Sequence, residues 1–227
     1  MDIIARLDQT RGACNVLEHP FYQRWSAGEL SAAELQCYAG EYRHAVVALA
    51  EASARAAAQA GPAHAAGLSA HAAEEAAHVE LWEDFARAAG AAEAVAGAQA
   101  LAETAACARA WTAGEDLLEQ LAVLYAIEAG QPEVSKTKLE GLTEHYGYSD
   151  EGPAVEYFRL HETRDVEHAR EAGELIEELL RGHEDAEAQT ERMVARAQAA
   201  LRGNWRLLDG VEAVGAGAAG GGSRAAA

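Results

Sequence analysis

Residues 154–180, AVEYFRLHETRDVEHAREAGELIEELL, decide how this chain is read. They read as one long helix, and within it His161, Asp165 and His168 stand at i, i+4 and i+7, positions that an α-helix places on one face. Imidazole and carboxylate are ligands that iron, manganese and zinc accept. Three of them on a single helical face supply much of a metal site, and other helices must complete it.

Two further segments offer the remainder. In HAAEEAAH, residues 71–78, Glu75 and His78 form a Glu-x-x-His pair, the i, i+3 spacing used by carboxylate-bridged di-iron bundles. Asp165 and His168 repeat that spacing with the shorter acid. Glu128 lies in the largely apolar run LYAIE, residues 124–128, where a carboxylate is costly unless it is paired or bound. Each residue alone has an ordinary explanation. A histidine such as His44, His64 or His145 is a hydrogen-bonding side chain, and Glu74 or Glu75 is a solvated charge in so acidic a chain. The conjunction of three segments carries the metal expectation.

The remaining sequence is helical in character. Alanine is abundant and proline scarce among the 227 residues, 50% of which are hydrophobic, enough for one domain with a sizeable core. A first helix is expected over residues 3–17. Ser31-Ala32-Ala33-Glu34 is a capping box opening a helix to about Ala60, and Gly61-Pro62 breaks it. Further helices are expected over residues 64–89, with Leu81, Trp82 and Phe85 facing the core, and over 91–110. A second capping box, Thr112-Ala113-Gly114-Glu115, is expected to open a helix through Glu128 that Gln131-Pro132 kinks or ends. The last helices are expected over 133–146, 154–180 and 183–208. The fold class is all-α, a single bundle of seven or eight helices over residues 1–209, followed by a low-complexity Gly/Ala tail over 210–227 expected to be disordered.

With 37 acidic and 18 basic residues the formal net charge is −19, which argues against nucleic acid or anionic membranes as partners. Cys14, Cys37 and Cys107 form no CxxC pair and are expected as free thiols in a reducing cytoplasm. No leader pattern and no apolar run near 18 residues is apparent.

At residues 17–42 (LEHPFYQRWSAGELSAAELQCYAGEY), 78–85 (HVELWEDF), 127–147 (IEAGQPEVSKTKLEGLTEHYG) and 157–176 (YFRLHETRDVEHAREAGELI) the chain resembles the haem-oxygenase-like di-metal oxidases, and within them the para-aminobenzoate synthases related to the chlamydial protein associating with death domains. The resemblance implies a seven-helix bundle holding Fe/Fe or Mn/Fe without haem, with His78, Glu128, His161, Asp165 and His168 at ligand positions. The sixth ligand departs from the pattern. The synthases place a glutamate where this chain has His71, and fatty-acid-decarboxylating relatives place it where this chain has Glu75. Glu75 is the first choice, Glu74 the second and His71 the third.

The resemblance further implies that Tyr22 is consumed as the source of the aromatic ring and that Lys138 helps supply nitrogen, in folate biosynthesis, with O2 and an external reductant or electron donor. Tyr22 also has a packing reason to be present, and Lys138 could be a plain surface lysine. A homodimer is expected. The competing expectations are a di-iron oxygenase acting on a diffusible amino acid, amine or fatty acid, a metal-free thiaminase-like enzyme, and an interaction protein.

Overall fold

Helix boundaries in this chain fall where glycine, proline or a capping side chain interrupts alanine- and leucine-rich runs. The computed structural model describes residues 2–91 and 99–221, the side chains of 216–221 excepted. In chain order the helices are α1 (Ile3–Gly12), α2 (Pro20–Ser26), α3 (Ala32–Gln59), α4 (Ala65–Ala88), α5 (Ala102–Trp111), α6 (Leu117–Glu128), α7 (Gln131–Glu144), α8 (Pro153–Arg181) and α9 (Ala186–Gly221), with a 3-10 turn at Val16–Glu18 before α2. Among the described residues there is no strand, and no helix is long and apolar enough to cross a membrane. The fold is an all-α bundle.

The capping box at Ser31 forms: its hydroxyl accepts the Glu34 N–H, and the Glu34 carboxylate accepts the Ser31 N–H at 2.8 Å. Other boundaries differ from expectation. The first helix stops at Gly12, and Asn15 caps the following 3-10 turn. The second expected capping box does not form. Asp116 caps α6 instead, accepting the Glu119 N–H at 2.8 Å, because an aspartate one residue from the helix reaches the free N–H groups first. Gln131-Pro132 opens α7 rather than kinking α6, with proline in the first turn where its missing N–H costs nothing. The helix expected over 91–110 falls partly on residues 92–98, which lie outside the described residues. The last helix runs past Leu208 to Gly221, with Val211 fully buried, because Leu207, Leu208 and Val211 continue an apolar stripe that the glycine and alanine content conceals.

Three helices frame the interior. Every residue from Leu118 to Glu128 on α6 is buried, so α6 is the central helix. α4 and α6 both pack against α8, while α3 lies along α4, and α9 closes the far side against α5 and α6. The start of α8 is set by Gly152, at φ +109° and ψ 176°, a region that glycine alone occupies readily, followed by Pro153. Each of three buried tryptophans donates its indole N–H to a carbonyl of a neighbouring helix: Trp25 to Lys138 at 3.1 Å, Trp82 to Ala39 at 2.8 Å and Trp111 to Ala200 at 3.1 Å. Buried His19 fixes α2: its Nδ1 accepts the Phe21 N–H at 3.0 Å and its Nε2 meets Asp209 of α9 at 3.1 Å.

The crossing of α2 and α7 is close because Gly141 has no side chain. A Cβ there would meet the Trp25 ring at 2.5 Å. Gly141→Ala is expected to destabilise the chain by about 1–3 kcal/mol through overpacking, read by denaturant unfolding.

Candidate metal centre

Three helices aim ionisable side chains at one buried point. α4 contributes His71, Glu75 and His78, α6 contributes Glu128, and α8 contributes His161, Asp165 and His168. Two groups of ligand atoms fall within 4.8 Å of one another, His71, Glu75, Glu128 and His168 in one and Glu75, His78 and His161 in the other, so Glu75 belongs to both. Its Oε1 lies 3.1 Å from His78 Nδ1, 3.7 Å from His168 Nδ1 and 3.8 Å from His71 Nε2. Glu128 Oε1 faces His71 Nε2 at 3.0 Å, and Asp165 Oδ1 lies 3.5 Å from His168 Nδ1. The His71 and His168 rings are 4.3 Å apart and the His78 and His161 rings 4.5 Å apart.

The inward atoms are short of hydrogen bonds. His71 Nε2, Glu75 Oε1, His78 Nδ1, both oxygens of Glu128, His161 Nε2, both oxygens of Asp165 and His168 Nδ1 are buried without a well-formed partner. Buried polar atoms normally find one, and nine unsatisfied atoms converging on one point suit cation coordination better than they suit each other. Four imidazoles and three carboxylates, with one carboxylate common to both groups, fit a pair of first-row transition metals.

The electrostatics point the same way. Burial raises Asp165 to about 7 and raises Glu128. Burial also opposes charging His71, but the Glu128 carboxylate outweighs it and holds the imidazole up at about 9. His161 goes the other way, lowered to about 4 by burial. Its Nδ1 contacts the Tyr157 carbonyl at 2.6 Å, which leaves Nε2 facing the cluster. A bound cation would replace the protons that these groups otherwise share.

Next to the His161 side lies an aromatic chamber. Lys138 on α7 is fully buried, and its Nζ has no hydrogen-bond partner. The amine stands 4.6 Å from the Tyr42 ring centre and between 5.4 and 5.6 Å from those of Tyr22, Tyr38, Trp82 and Phe158. Burial lowers its pKa to about 7. The Tyr22 hydroxyl shares a 3.0 Å hydrogen bond with Tyr38, and burial raises Tyr22 well above the usual phenol range. A run of ring contacts links chamber and cluster: Tyr38 to Tyr42 at 5.2 Å, Tyr42 to Trp82 at 4.9 Å, Trp82 to Tyr157 at 4.9 Å, and Tyr157 stacked on His161 at 4.0 Å.

Of the side chains singled out in the sequence, Glu75, His78, Glu128, His161, Asp165 and His168 come together, and His71 joins them. Glu74 stays outside the inward-facing set, paired with Arg164 at the rim and 3.2 Å from the outer nitrogen of His168. Tyr22 and Lys138 share the chamber instead of touching the cluster. Lys138 is not a surface lysine. Tyr38, Tyr42 and Tyr157 line this interior without having drawn notice in the sequence. The presence of His71 had a signal: His71, Glu75 and His78 repeat on α4 the i, i+4, i+7 spacing of His161, Asp165 and His168 on α8.

The sequence profile of a family described as iron-containing redox enzyme matches residues 36–203. The 4-aminobenzoate synthase of Chlamydia muridarum is 32% identical over 218 residues, covering 87% of this chain and 87% of that protein. Among solved structures, a TenA homologue from Pseudomonas syringae pv. tomato superposes with a TM-score of 0.79 at 17% identity over 92% of this chain and 90% of its own. A domain with a heme oxygenase-like fold from Shewanella denitrificans gives 0.72 at 18% identity over 92% and 88%. The two structures speak for the fold alone.

Two measurements follow from the titrating groups. Asp165 (about 7) and His71 (about 9) must release protons to bind a cation, so affinity for Mn(II) or Fe(II) should fall as pH drops from ~8 to ~6, with proton release seen by calorimetry in two buffers. For Lys138, the charged amine is opposed by burial in the folded chain, at about 7, against 10.5 unfolded. Below that window both states hold the proton and burial costs stability in full. Within it the unfolded chain binds more protons, so stability rises with pH. Lys138→Met should therefore stabilise the chain by roughly 2–4 kcal/mol at pH ~6, and the gain should shrink as pH rises, in denaturant unfolding.

Proposed function

The chain belongs to the iron-containing redox enzyme family and has its haem-oxygenase-like fold, and from that premise we propose that it is an O2-using di-metal oxidase that makes 4-aminobenzoate from its own Tyr22. The observation that carries this reading is the pairing of the seven-residue cluster with a buried aromatic chamber in which Tyr22, Tyr38 and Tyr42 surround the amine of Lys138. When bound, a reduced Fe/Fe or Mn/Fe pair, held by Glu75, His78, Glu128, His161, Asp165 and His168 with His71 beside them, supplies oxidation by O2. The electrons for that chemistry would come from an external reductant.

The chain's own residues supply the rest. 4-Aminobenzoate is a benzene ring with an amine and a one-carbon acid para to each other, and tyrosine offers a ring with substituents at the same two positions. Lys138 is the nitrogen source: its Nζ forms the new C–N bond at the Tyr22 ring carbon that gives up the phenol oxygen as water, while the Lys138 Cε–Nζ bond breaks. The Tyr22 Cα–Cβ bond breaks as Cβ is oxidised to the carboxylate, with O2 as oxidant and the external reductant as electron source. With a pKa of about 7, much of its amine carries a free lone pair at neutral pH, where a solvated lysine would be protonated and inert. The surrounding rings keep water out, and the ring contacts from His161 to Tyr38 give the oxidation a route to a tyrosine that does not touch the cluster. The similarity to a 4-aminobenzoate synthase across most of both chains supports this reading.

A second reading has its own observation. A cavity of about 370 Å³, open to the surface, is lined by leucines such as Leu68 and Leu124, by the charged Arg170 and Glu174, and by His71 and His168 of the cluster. It lies against the cluster as a substrate pocket would, and it favours an oxygenase acting on a diffusible amine, amino acid or fatty acid.

The two separate in one experiment. The chain is loaded with iron and manganese, reduced and exposed to O2. The first reading expects at most one 4-aminobenzoate per chain, loss of the Tyr22 side-chain mass, and no product from Tyr22→Phe at unchanged metal content. Product from Tyr22→Phe at the wild-type level refutes it and leaves the diffusible-substrate reading.

A further inference from the structure

Glu74 and Glu75 are neighbours in sequence, but successive helical residues diverge by about 100°. Glu75 faces the cluster. Glu74 faces the seam between α4 and α8, where it accepts two hydrogen bonds from Arg164, both at 2.8 Å, in the planar fork geometry of an arginine–carboxylate pair. The same carboxylate lies 3.2 Å from His168 Nε2. Both oxygens of Glu74 face the permanently charged Arg164 guanidinium, which makes the group a carboxylate acceptor on geometry alone.

An anionic acceptor at Nε2 demands a proton on that nitrogen. The lone pair of a neutral His168 ring is then left on Nδ1, the buried atom without a partner that faces Asp165 at 3.5 Å and Glu75 at 3.7 Å. His161, two turns earlier on α8, is set in the opposite sense, since its Nδ1 is taken by the Tyr157 carbonyl and its Nε2 faces inward. Two histidines of one helix thus present different nitrogens, each because something else occupies the other.

We infer that Glu74, gripped by Arg164, is a positioning residue that fixes the ring and the tautomer of His168 so that Nδ1 is its metal-binding atom. Arg164 has a second effect. It occupies both oxygens of Glu74 and keeps that carboxylate from turning inward to compete with Glu75. The inference rests on the reading of His168 as a metal ligand. Outer carboxylates of this kind raise the basicity of a ligating imidazole and hold its orientation.

The test uses the full chain with Glu74→Ala, Glu74→Gln and Arg164→Met. Titration with Mn(II) should show Glu74→Ala losing about 10–100-fold in affinity for one of the two ions while the other binds nearly as before. Glu74→Gln, whose amide oxygen still accepts from Nε2–H, should recover most of that loss, and Arg164→Met should fall between. Isotope-labelled histidine NMR of the zinc-loaded chain should show His168 bound through Nδ1, with a hydrogen-bonded Nε2–H in the wild type and Glu74→Gln but not in Glu74→Ala. General destabilisation would weaken both ions together and would not be rescued by glutamine. Wild-type affinity for both ions in Glu74→Ala, or zinc on His168 Nε2, overturns the inference. A wild-type chain that binds neither ion removes the metal reading itself, and the assignment with it.

Discussion

Everything in this bundle is arranged around the cost of keeping six ionisable side chains, and most of a seventh, His71, away from water. A carboxylate or imidazolium buried without compensation is among the most unfavourable features a core can hold. Here three carboxylates and four imidazoles share one interior volume, on three different helices. Within the cluster compensation is incomplete, as the unsatisfied atoms of Glu128, Asp165 and His161 show. The helices must therefore be held together by other means. The indole N–H bonds, the glycine at 141 that lets α2 meet α7, and the wholly buried α6 supply that rigidity. They hold the ligand atoms together although only some of them pair, as His71 does with Glu128 and His78 with Glu75.

The interior is divided. On one side of the cluster, His71 and His168 border a cavity open to solvent; on the other, Tyr157 and His161 abut a closed aromatic chamber. Lys138 illustrates how differently the two sides treat charge. In the chamber its amine has aromatic faces but no anion, so burial depresses its pKa. At the rim, Arg164 meets a carboxylate squarely and keeps its charge. One fold thus brings one base down to titrate near neutrality and keeps another permanently cationic, by placing a carboxylate beside only one of them.

Much of this was legible in the sequence, for identifiable reasons. His161, Asp165 and His168 were readable because helical periodicity converts spacing directly into a shared face. Glu128 stood out because a charge in an apolar run needs a partner. Helix α3 announced its start through Ser31 and Glu34. What could not be read depended on tertiary packing. Glu74 and Glu75 are indistinguishable in sequence, and only the approach of Arg164 on α8 tells them apart. Lys138 reads like Lys136 until α7 is laid against α2 and α3. The length of α9 was hidden because glycine and alanine suggest disorder, while its buried stripe of Leu207, Leu208 and Val211 becomes evident once a neighbouring surface exists.

The sealing of Tyr22 has a consequence for the lifetime of the molecule. Its ring is fully enclosed and packs against Phe21, Trp25 and Tyr38. In the reading proposed above that ring departs, and emptying an aromatic-sized space in a core typically lowers stability by about 3–5 kcal/mol. The spent chain would then be closer to unfolding than the fresh one and more open to proteolysis. Under that reading the molecule behaves as a reagent with a built-in expiry, and the supply of product follows the rate at which ribosomes deliver new chains.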